Sequence, residues 1–304
     1  MFGVSARPVM KRTLLKSKRL PPDGSGVLLD ITPRRAGWGF IRFTVRRIAA
    51  GMTQVVRARG EECCVVLLQG GGELSIDNGP AQAFGPRADV FAGYPHAAYL
   101  PHGHQLSLRA REVTEIAECR AVSDKPLEPR LIAPEDCGYE IRGGGNATRQ
   151  IVDILTPEFP ADRLLICEVF TPGGNWSSYP PHKHDVDNPP VEVDLEETYY
   201  YRMRRAEAYG FQRLYAADGS RDMTVKVEDG DLVLIRDGYH PFVTAHGYDA
   251  YYLNVLAGTR RSMAASDDPR YAALRTDWPP PDPRAPIVPR PGAMQPRHDR
   301  GEHD

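Results

Sequence analysis

The sequence predicts an all-β fold, and three observations indicate that class. The 304-residue chain contains 28 glycines and 28 prolines, so turn-forming residues are dense. Short runs rich in valine, leucine and tyrosine alternate with these turns, and no long stretch has the period of an amphipathic helix. A hydrophobic fraction of 41% and a charged fraction of 26% are typical of a globular protein, which excludes a disordered chain.

The first series of strand-like runs predicts an N-terminal barrel over residues 26–125. These runs cover residues 27–31, 39–45, 63–68, 89–91, 105–109 and 115–117. Gly, Pro or Asp lies close to most of their ends, and this spacing suits a barrel or a sandwich. The basic stretch 1–25 has no comparable pattern and lacks the apolar core of a signal peptide, so we expect a flexible arm.

A second series of runs predicts a C-terminal barrel over residues 150–265. Its runs cover residues 150–155, 164–170, 198–202, 224–227, 232–235 and 250–256. We expect residues 126–149 to form a linker between the two barrels. Residues 266–304 begin with a predicted short helix at 268–274 and then become Pro-rich and charged, so we expect most of this tail to be solvated.

Charge and cysteine content restrict the partners and the compartment. Lys and Arg total 38 against 40 Asp and Glu, a formal charge of −2, so we expect no nucleic-acid partner. No apolar run approaches the roughly 20 residues that cross a bilayer, so we expect no membrane partner. Five cysteines without C-x-x-C spacing predict a reduced, cytoplasmic protein. Strand edges on two barrels predict a homo-oligomer, at least a dimer.

Three histidines and a glutamate predict a metal site in the second barrel. His182 and His184 are two residues apart, so an extended chain places both imidazoles on one face. Glu197 opens the next strand, and His240 follows a later apolar strand. Imidazoles and a carboxylate suit one divalent ion such as Zn, Mn, Fe or Ni and leave positions open for a substrate. A His-x-His pair alone also fits two polar residues on a solvated strand edge.

The order of these residues resembles the two signatures of the cupin superfamily. The His-x-His pair with Glu197 resembles the first signature, and residues 230–240, which run from Gly-Asp through an apolar strand to Gly238 and His240, resemble the second. The resemblance implies a bicupin, with two double-stranded β-helix barrels in one chain. In the first barrel, Glu62 precedes an apolar run, but residues 51–61 contain no histidine. We expect that barrel to hold no metal and to serve packing, subunit contact or covering of the neighbouring site.

Two of the predicted ligands have neighbours that are alternatives. Glu196 and Glu197 are adjacent, so a strand points them to opposite faces. We choose Glu197 because a cupin carboxylate normally lies immediately before aromatic strand residues; Tyr199 and Tyr201 then share its face, while Thr198 and Tyr200 point away. His246 is the alternative to His240, but it precedes a glycine in a later loop.

Longer motifs make the chain similar to one family. They lie at residues 181–185, 195–202, 237–241 and 247–255, with further matches at 31–33, 36–38, 142–146 and 268–271. On these motifs the chain resembles the 5-deoxy-glucuronate isomerase family of myo-inositol catabolism, which is related to the uronate ketol-isomerases. The resemblance covers almost the whole chain and implies a metal-dependent enzyme with its ion in the C-terminal barrel only.

The resemblance implies an aldose-ketose isomerisation of 5-deoxy-D-glucuronate to 5-dehydro-2-deoxy-D-gluconate, in which a proton leaves C2 and returns at C1. A metal-bound glutamate is a poor base, so other acid-base groups are needed near the ligands. The candidates are Tyr199, Tyr201, Asp185 and Tyr239. A hydride shift, which needs no base on carbon, is the alternative. The substrate carboxylate calls for a cationic side chain. The candidates are Arg149, Arg202, Arg213 and Lys183.

Two further interpretations stay open at this level. A cupin dioxygenase or oxidase, or a non-catalytic sugar-binding bicupin, would use the same ligand types. The segment Arg-Gly-Gly-Gly-Asn at residues 142–146 fits an anion cradle and a plain interdomain turn equally well. No nucleotide-binding fingerprint is present in the sequence.

Overall fold

The computed structural model describes residues 13–292 as an all-β protein with two barrels. One turn of α-helix, α1, spans Pro33–Ala36, and 3₁₀ turns span Pro134–Asp136 and Ala272–Arg275. The strands of the first part are β1 (Leu14–Lys16), β2 (Gly26–Ile31), β3 (Ile41–Ile48), β4 (Thr53–Arg57), β5 (Glu61–Ile76), β6 (Gln82–Arg87), β7 (Ala97–Leu100), β8 (Gln105–Ala110), β9 (Thr114–Val122) and β10 (Arg130–Ile132). Those of the second part are β11 (Glu140–Arg142), β12 (Arg149–Leu155), β13 (Leu165–Thr171), β14 (Trp176–Ser177), β15 (His182–Lys183), β16 (Leu195–Met203), β17 (Gly210–Tyr215), β18 (Asp222–Val227), β19 (Asp231–Ile235), β20 (Phe242–Thr244), β21 (Ala250–Gly258) and β22 (Ser266–Asp267).

The N-terminal barrel consists of β2 to β10. Its main sheet has the order β10-β7-β5-β9-β3-β2, and β6 and β8 pair with the second half of β5, with β4 beyond β8. The long strand β5 bends at Gly70 to join the two parts. Gly70 has a φ of +83°, and a Cβ there would lie 2.4 Å from the carbonyl oxygen of Val113, so only glycine fits this bend.

The C-terminal barrel encloses the predicted site. A seven-stranded sheet of order β1-β19-β16-β21-β13-β12-β11 faces a four-stranded sheet of order β14-β20-β17-β18. Tyr199 and Tyr201 of β16 belong to the apolar cluster between these sheets. Tyr200 points the other way, into a core shared with the N-terminal barrel, where its ring centroid lies 5.6 Å from that of Phe43. The alternation predicted along β16 is therefore confirmed.

Parts of the predicted arm and linker are strands of the barrels. Of the arm at 1–25, residues 1–12 lie outside the described range, but β1 pairs with β19 of the C-terminal barrel. The predicted linker at 126–149 contributes β10 to the N-terminal barrel and β11 to the C-terminal barrel. Each of these edge strands is three residues long, which is too short for an alternating pattern to appear in the sequence.

The tail contacts the C-terminal barrel at several points, but more than half of residues 266–292 are exposed, so the prediction that most of the tail is solvated is confirmed for its described part. Strand β22 pairs with β15, and Val288 is fully buried. The backbone N–H groups of Ile287 and Val288 donate to the side chain of Gln150. The predicted helix at 268–274 is a 3₁₀ turn over Ala272–Arg275. Residues 293–304 lie outside the described range.

The Gly-rich segment 142–146 receives this tail. Gly145 N–H donates to the carbonyl oxygen of Pro280 at 2.9 Å. A Cβ at Gly144 would lie 1.9 Å from the carbonyl oxygen of Pro279, so a side chain there would displace the tail. The segment is a turn, as one of the two interpretations has it, but it joins β11 to β12 within the C-terminal barrel and also serves as a docking surface for the tail.

The five cysteines are all buried and unpaired. Burial raises the pKa of the Cys63 thiol to about 12, so this thiol stays protonated at neutral pH. Among residues 13–292, no helix has the length and apolar character needed to cross a bilayer.

Candidate metal centre and cavity

Three of the four predicted metal ligands meet inside the C-terminal barrel. One ligand atom from each of His184, Glu197 and His240 lies within 4.8 Å of the other two, and all three side chains are buried. The Nε2 atoms of His184 and His240 lie 2.9 Å and 3.1 Å from Oε2 of Glu197. The two imidazoles and the carboxylate therefore point into one small volume.

His182 adds a third imidazole from β15. Its ring centroid lies 4.7 Å from that of His240 and 6.3 Å from that of His184. Nδ1 of His182 and Nε2 of His240 are buried and have no hydrogen-bond partner in the described part of the chain. Buried polar atoms are normally paired, so two unpartnered imidazole nitrogens in adjacent rings fit a divalent cation. The four side chains that would hold it are His182, His184, Glu197 and His240.

Backbone carbonyls orient two of the imidazoles. Nδ1 of His184 donates to the carbonyl oxygen of Leu195 at 3.0 Å, and Nδ1 of His240 donates to that of Gly238 at 3.0 Å. In a neutral imidazole this leaves Nε2 as the atom with a free lone pair. Hydrogen bonds of this kind hold metal-binding histidines in the required tautomer and orientation.

The local electrostatics favour the metal-binding protonation state in three of the four side chains: the pKa values of His182, His240 and Glu197 are lowered, whereas the pKa of His184 is raised because Glu197 outweighs burial. Burial, with His240 and His184 nearby, holds the pKa of His182 well below its usual value, so this ring stays neutral. Burial alone would raise the pKa of Glu197, but His240 and His184 outweigh it and the pKa is lowered. A neutral histidine and an ionised glutamate are the forms that bind metal.

Each neighbouring alternative points away from the cluster. Glu196 lies on the opposite face of β16 and accepts hydrogen bonds from the backbone of residues 39–41. His246 lies in the loop before β21, close to Gly174. The sequence-based choice of Glu197 and His240 therefore agrees with the positions of these side chains.

A cavity of about 290 Å³ opens onto the cluster. Its walls are inward-facing residues of β12, β13, β16 and β21, together with residues 263–265 and Arg275 from the chain that follows the barrel. This size is at the lower end of ordinary small-molecule sites, roughly 300 to 1,000 Å³. Its polar lining, besides three of the four cluster residues, consists of Arg142, Arg149, Asp153, Cys167, Ser178, Tyr199, Tyr252, Asn254 and Arg275.

The amino-acid sequence is similar to those of known proteins over most of its length. The sequence model of the KduI/IolB family matches residues 14–274. The chain belongs to the KduI/IolB family. Among its relatives is the 5-deoxy-glucuronate isomerase of Geobacillus kaustophilus strain HTA426, which is 41% identical over 88% of this chain and 95% of that protein. The 5-deoxy-glucuronate isomerase of Bacillus subtilis strain 168 is 35% identical over 85% of this chain and 97% of that protein. This KduI/IolB member is accordingly an enzyme of the isomerase class.

Solved structures agree with the family and the fold. An IolB-like protein from Salmonella typhimurium LT2 superposes with a TM-score of 0.82 at 34% identity and covers 86% of this chain and 99% of that protein. The oxalate decarboxylase of Lactobacillus farciminis superposes with a TM-score of 0.62 at 10% identity and covers 88% of this chain and 91% of that protein. The second likeness concerns the fold alone. This KduI/IolB family member is a bicupin.

Of the four predicted substrate-binding residues, Arg149 lines the cavity. Its guanidinium group is buried, and it donates to the carbonyl oxygens of Ala147 and Tyr179 at 3.2 Å and 2.9 Å. No carboxylate in the described residues forms an ion pair with it. Burial lowers the pKa of Arg149 to about 10, so the side chain still carries its charge at neutral pH.

The other three predicted substrate-binding residues lie outside the cavity lining, and acidic partners hold each of them. These ion pairs are Lys183 with Asp185 and Glu192, Arg202 with Glu115 and Asp229, and Arg213 with Asp222. Arg202 is out of phase with Glu197 along β16, so its side chain leaves the barrel towards β9. A role for these three in substrate binding does not fit their positions.

The four predicted acid-base groups also differ in whether they line the cavity. Tyr199 lines the cavity, and its hydroxyl group shares a hydrogen bond of 2.6 Å with Oγ of Ser178. The other three lie outside the lining and have their own partners in the fold. Tyr201 donates to Gln212, Asp185 binds Lys183 and the backbone of Gly238, and Tyr239 packs on Tyr215. We therefore do not retain Tyr201, Asp185 or Tyr239 as acid-base candidates.

Several cavity residues were not among the sequence-based candidates. Asp153 and Arg149 share a face of β12 because they are four residues apart, and this period of two could have revealed Asp153. Its carboxylate accepts no hydrogen bond from the described residues, and burial raises its pKa. Asn254 has a buried Oδ1 without a partner in residues 13–292. Arg275 reaches the cavity from the tail, so no local pattern could have indicated it.

Proposed function

We propose that this isomerase is a metal-dependent aldose-ketose isomerase that converts 5-deoxy-D-glucuronate to 5-dehydro-2-deoxy-D-gluconate in inositol catabolism. The observation that carries the proposal is a single cavity with two kinds of binding group. His182, His184 and Glu197 of the ligand set line one part of it, and the buried Arg149 forms no ion pair with a carboxylate of residues 13–292. A small sugar acid with a carbonyl group and a carboxylate complements both. The names of the relatives supply the particular sugar.

The proposed reaction needs no external oxidant or reductant. The hydrogen on C2 moves to C1, the hydroxyl proton on O2 moves to O1, and the C1 aldehyde becomes a C2 ketone. When bound, a divalent ion would supply positive charge that stabilises the negative charge developing on the substrate oxygens. Arg149 would hold the substrate carboxylate through its planar guanidinium, which fixes the sugar lengthwise in the cavity.

We assign proton movements to two residues of the lining. Burial raises the pKa of Tyr199 well above its usual value, so its hydroxyl stays protonated and suits donation to a substrate oxygen. Ser178 and Tyr252 extend its hydrogen bonds, with the rings of Tyr199 and Tyr252 stacked at 4.2 Å. Asp153 is a lining carboxylate that accepts no hydrogen bond from residues 13–292, and a pKa raised by burial suits a group that accepts and returns a proton.

Proton NMR of the purified protein with 5-deoxy-D-glucuronate tests the proposal. We expect loss of the aldehyde signal and growth of product signals with the untreated protein, no conversion after chelation, and recovery when Zn²⁺, Mn²⁺, Fe²⁺ or Ni²⁺ is restored. The variant His182→Ala/His184→Ala should not recover. Full activity of that variant would contradict the metal mechanism.

The same NMR experiment tests the two alternative functions, an oxygen-dependent enzyme and a non-catalytic sugar-binding protein. Conversion under strict anoxia excludes an oxygen-dependent dioxygenase or oxidase. A protein that binds the sugar acid but leaves its NMR spectrum unchanged would be a binding module instead. In deuterated water, incorporation of solvent deuterium at C1 indicates transfer through Asp153 or another base, whereas retention of the substrate hydrogen indicates a hydride shift.

Compartment and assembly belong to the same proposal. Five buried cysteines without a disulfide support a reducing compartment, and we propose the cytoplasm. Within the described residues β18 is the last strand of its sheet, and such an edge supports at least a dimer. Light scattering of the purified chain measures the mass, and a monomer would contradict the second point.

A further inference from the structure

Glu196, next to the proposed ligand Glu197, is bound to the other barrel. Its carboxylate accepts three consecutive backbone N–H groups, from Gly39, Phe40 and Ile41, where the chain enters β3 of the N-terminal barrel. The bonds from Phe40 and Ile41 measure 2.9 Å and 2.8 Å. Hydrogen bonds to an ionised carboxylate are roughly twice as strong as neutral ones, so this contact is strong for its size.

The N-terminal barrel makes the same contact in return. Glu62 accepts the N–H groups of Asp162, Arg163 and Leu164 at 2.7 to 2.8 Å, immediately before β13 of the C-terminal barrel. The hydroxyl group of Tyr99 also donates to Glu62, at 2.6 Å. We name these two contacts the Glu196 clasp and the Glu62 clasp.

The two clasps occupy equivalent places in the two barrels. Glu62 lies on β5, which pairs with β9, and β9 in turn pairs with β3. Glu196 lies on β16, which pairs with β21, and β21 in turn pairs with β13. Each glutamate thus binds the backbone that leads into the strand corresponding to β3 or β13 of the opposite barrel. The glutamate that resembled a metal ligand in the first barrel corresponds to Glu196 and not to Glu197.

The Glu196 clasp constrains the strand that carries Glu197. Adjacent residues of a strand point to opposite faces, so fixing the Glu196 carboxylate on one side limits rotation and sliding of β16 on the other. Metal sites require metal–ligand distances within about 0.2 Å of their ideal values, so a small shift of β16 would weaken metal binding. The Glu62 clasp is on a strand without a cluster residue, and it holds the entry to β13.

We propose that Glu196 is a positioning residue for the metal centre, and that the N-terminal barrel acts on the site through it. This inference rests on the proposed function in one respect, the role of Glu197 as a ligand. Loss of the clasp leaves the four ligand side chains in the chain but releases the strand that aligns one of them. Glu62 offers a matched control, because it also accepts hydrogen bonds from three consecutive backbone N–H groups of the opposite barrel.

The test compares Glu196→Gln with Glu62→Gln in the full chain. An amide has one accepting oxygen and directs its NH₂ group at the remaining N–H donors, so both variants should lose stability in urea unfolding. We expect only Glu196→Gln to bind Zn²⁺ more weakly, by about 10-fold or more, in competition with a chromophoric chelator, as for other groups that support metal ligands. Equal Zn²⁺ affinities in the two variants would overturn the proposal.

Two additions keep the result interpretable. If Glu196→Gln does not fold, Glu196→Asp and Glu62→Asp pose the same question, because they keep the charge and shorten its reach by one methylene. Glu197→Gln tests the underlying assignment. If Glu197→Gln binds Zn²⁺ like the unmodified protein, the proposed metal site fails. If Glu197→Gln is weak and Glu196→Gln is normal, the positioning role alone fails.

Discussion

Arg149 is a buried cation whose hydrogen-bond partners within the described part of the chain are backbone carbonyls. Removing a guanidinium from water without a nearby carboxylate costs free energy, and a lowered pKa reflects that cost. The fold holds the side chain in place through Ala147 and Tyr179 and leaves the rest of the group facing the cavity. Such an arrangement suits an anionic ligand, whose binding would compensate the charge.

Arg149→Lys keeps the charge but loses the planar fork. We expect kcat/KM to fall about 10- to 100-fold, mainly through a higher KM, because the lost contact involves a group of the substrate that does not react. Steady-state kinetics measure both constants. Arg213→Ala is the control, since Arg213 lies outside the cavity and binds Asp222; a KM effect as large as that of Arg149→Lys would contradict the assignment.

Asp153→Asn removes a proton acceptor without changing the size of the side chain. We expect kcat to fall about 100-fold or more with little change in KM, because general-base catalysis contributes roughly 100- to 10,000-fold. NMR time courses of substrate conversion give kcat, and the rate of deuterium incorporation at C1 should fall with kcat. Normal turnover with retained exchange would exclude Asp153 as the base.

At the level of elements, the tail completes the cavity wall. The chain after β21 returns across the barrel mouth, where residues 263–265 and Arg275 join the lining. Its further course is held by the Gly-rich segment, by Gln150 and by the pairing of β22 with β15. A substitution in these docking contacts should therefore change substrate binding as well as stability.

Gly144→Ala tests the docking of the tail. The added Cβ would lie 1.9 Å from the carbonyl oxygen of Pro279, so the tail must shift. We expect a loss of about 1 to 3 kcal/mol in urea unfolding and an increase in KM. Gly93→Ala is the control, because a Cβ there has nothing within 4 Å. Equal stability and KM for the two variants would contradict this role of the tail.

Asp268 makes the tail sensitive to acid. Its buried carboxylate accepts hydrogen bonds from Arg270 and from the hydroxyl group of Tyr215, and Arg270 is the main reason that the pKa of Asp268 is lowered to about 2. A folded pKa below the unfolded value of about 3.9 stabilises the protein above about pH 4, and this contribution is lost as pH falls towards 2.

Asp268→Asn should therefore destabilise the protein in a pH-dependent way. We expect a loss of about 1.5 to 3 kcal/mol near neutral pH, and a smaller difference from the unmodified chain at about pH 3. Urea unfolding at the two pH values measures both differences, and comparison within each pH cancels the effects of other carboxylates. A difference that stays constant would contradict the role of the Asp268 charge.

At the scale of the whole molecule, the two barrels share buried polar contacts as well as one apolar core. Arg87 of the N-terminal barrel and Glu168 of the C-terminal barrel form an ion pair at 2.7 Å, with side chains 2% and 0% exposed. Tyr251 also donates to Glu168. Together with the two clasps, these contacts predict that the barrels unfold as a single unit.

Arg87→Met leaves Glu168 buried without its cation. We expect the free energy of unfolding to fall by about 3 to 5 kcal/mol, because removing one partner of a buried ion pair leaves the other charge buried and uncompensated. Adding Glu168→Leu should restore part of the stability, since the uncompensated buried charge is then removed. Urea unfolding followed by tryptophan fluorescence and by circular dichroism measures the change. Two separate transitions in the unmodified chain would contradict a single unit.

Local patterns in the sequence predicted much of the fold and the site. Alternating apolar residues between turns predicted most strands. The period of two along β16 placed Glu196 and Glu197 on opposite faces, and the resemblance to cupins selected Glu197. Edge strands such as β1, β10 and β11 were missed because they are too short for a pattern and exist only through pairing. Candidates such as Arg202 and Lys183 could not be excluded from sequence, because their acidic partners come from distant segments or from loops of unpredictable path.

The spacing of His182 and His184 predicted that they share a face, and the resemblance of the sequence to the cupin signatures added Glu197 and His240 to the set of side chains that meet. The tail over the cavity, the assignment of Glu62 and Glu196 to clasps, and the isolation of Arg149 were decided only in three dimensions. Each depends on contacts between residues far apart in the chain, and no local period records such contacts.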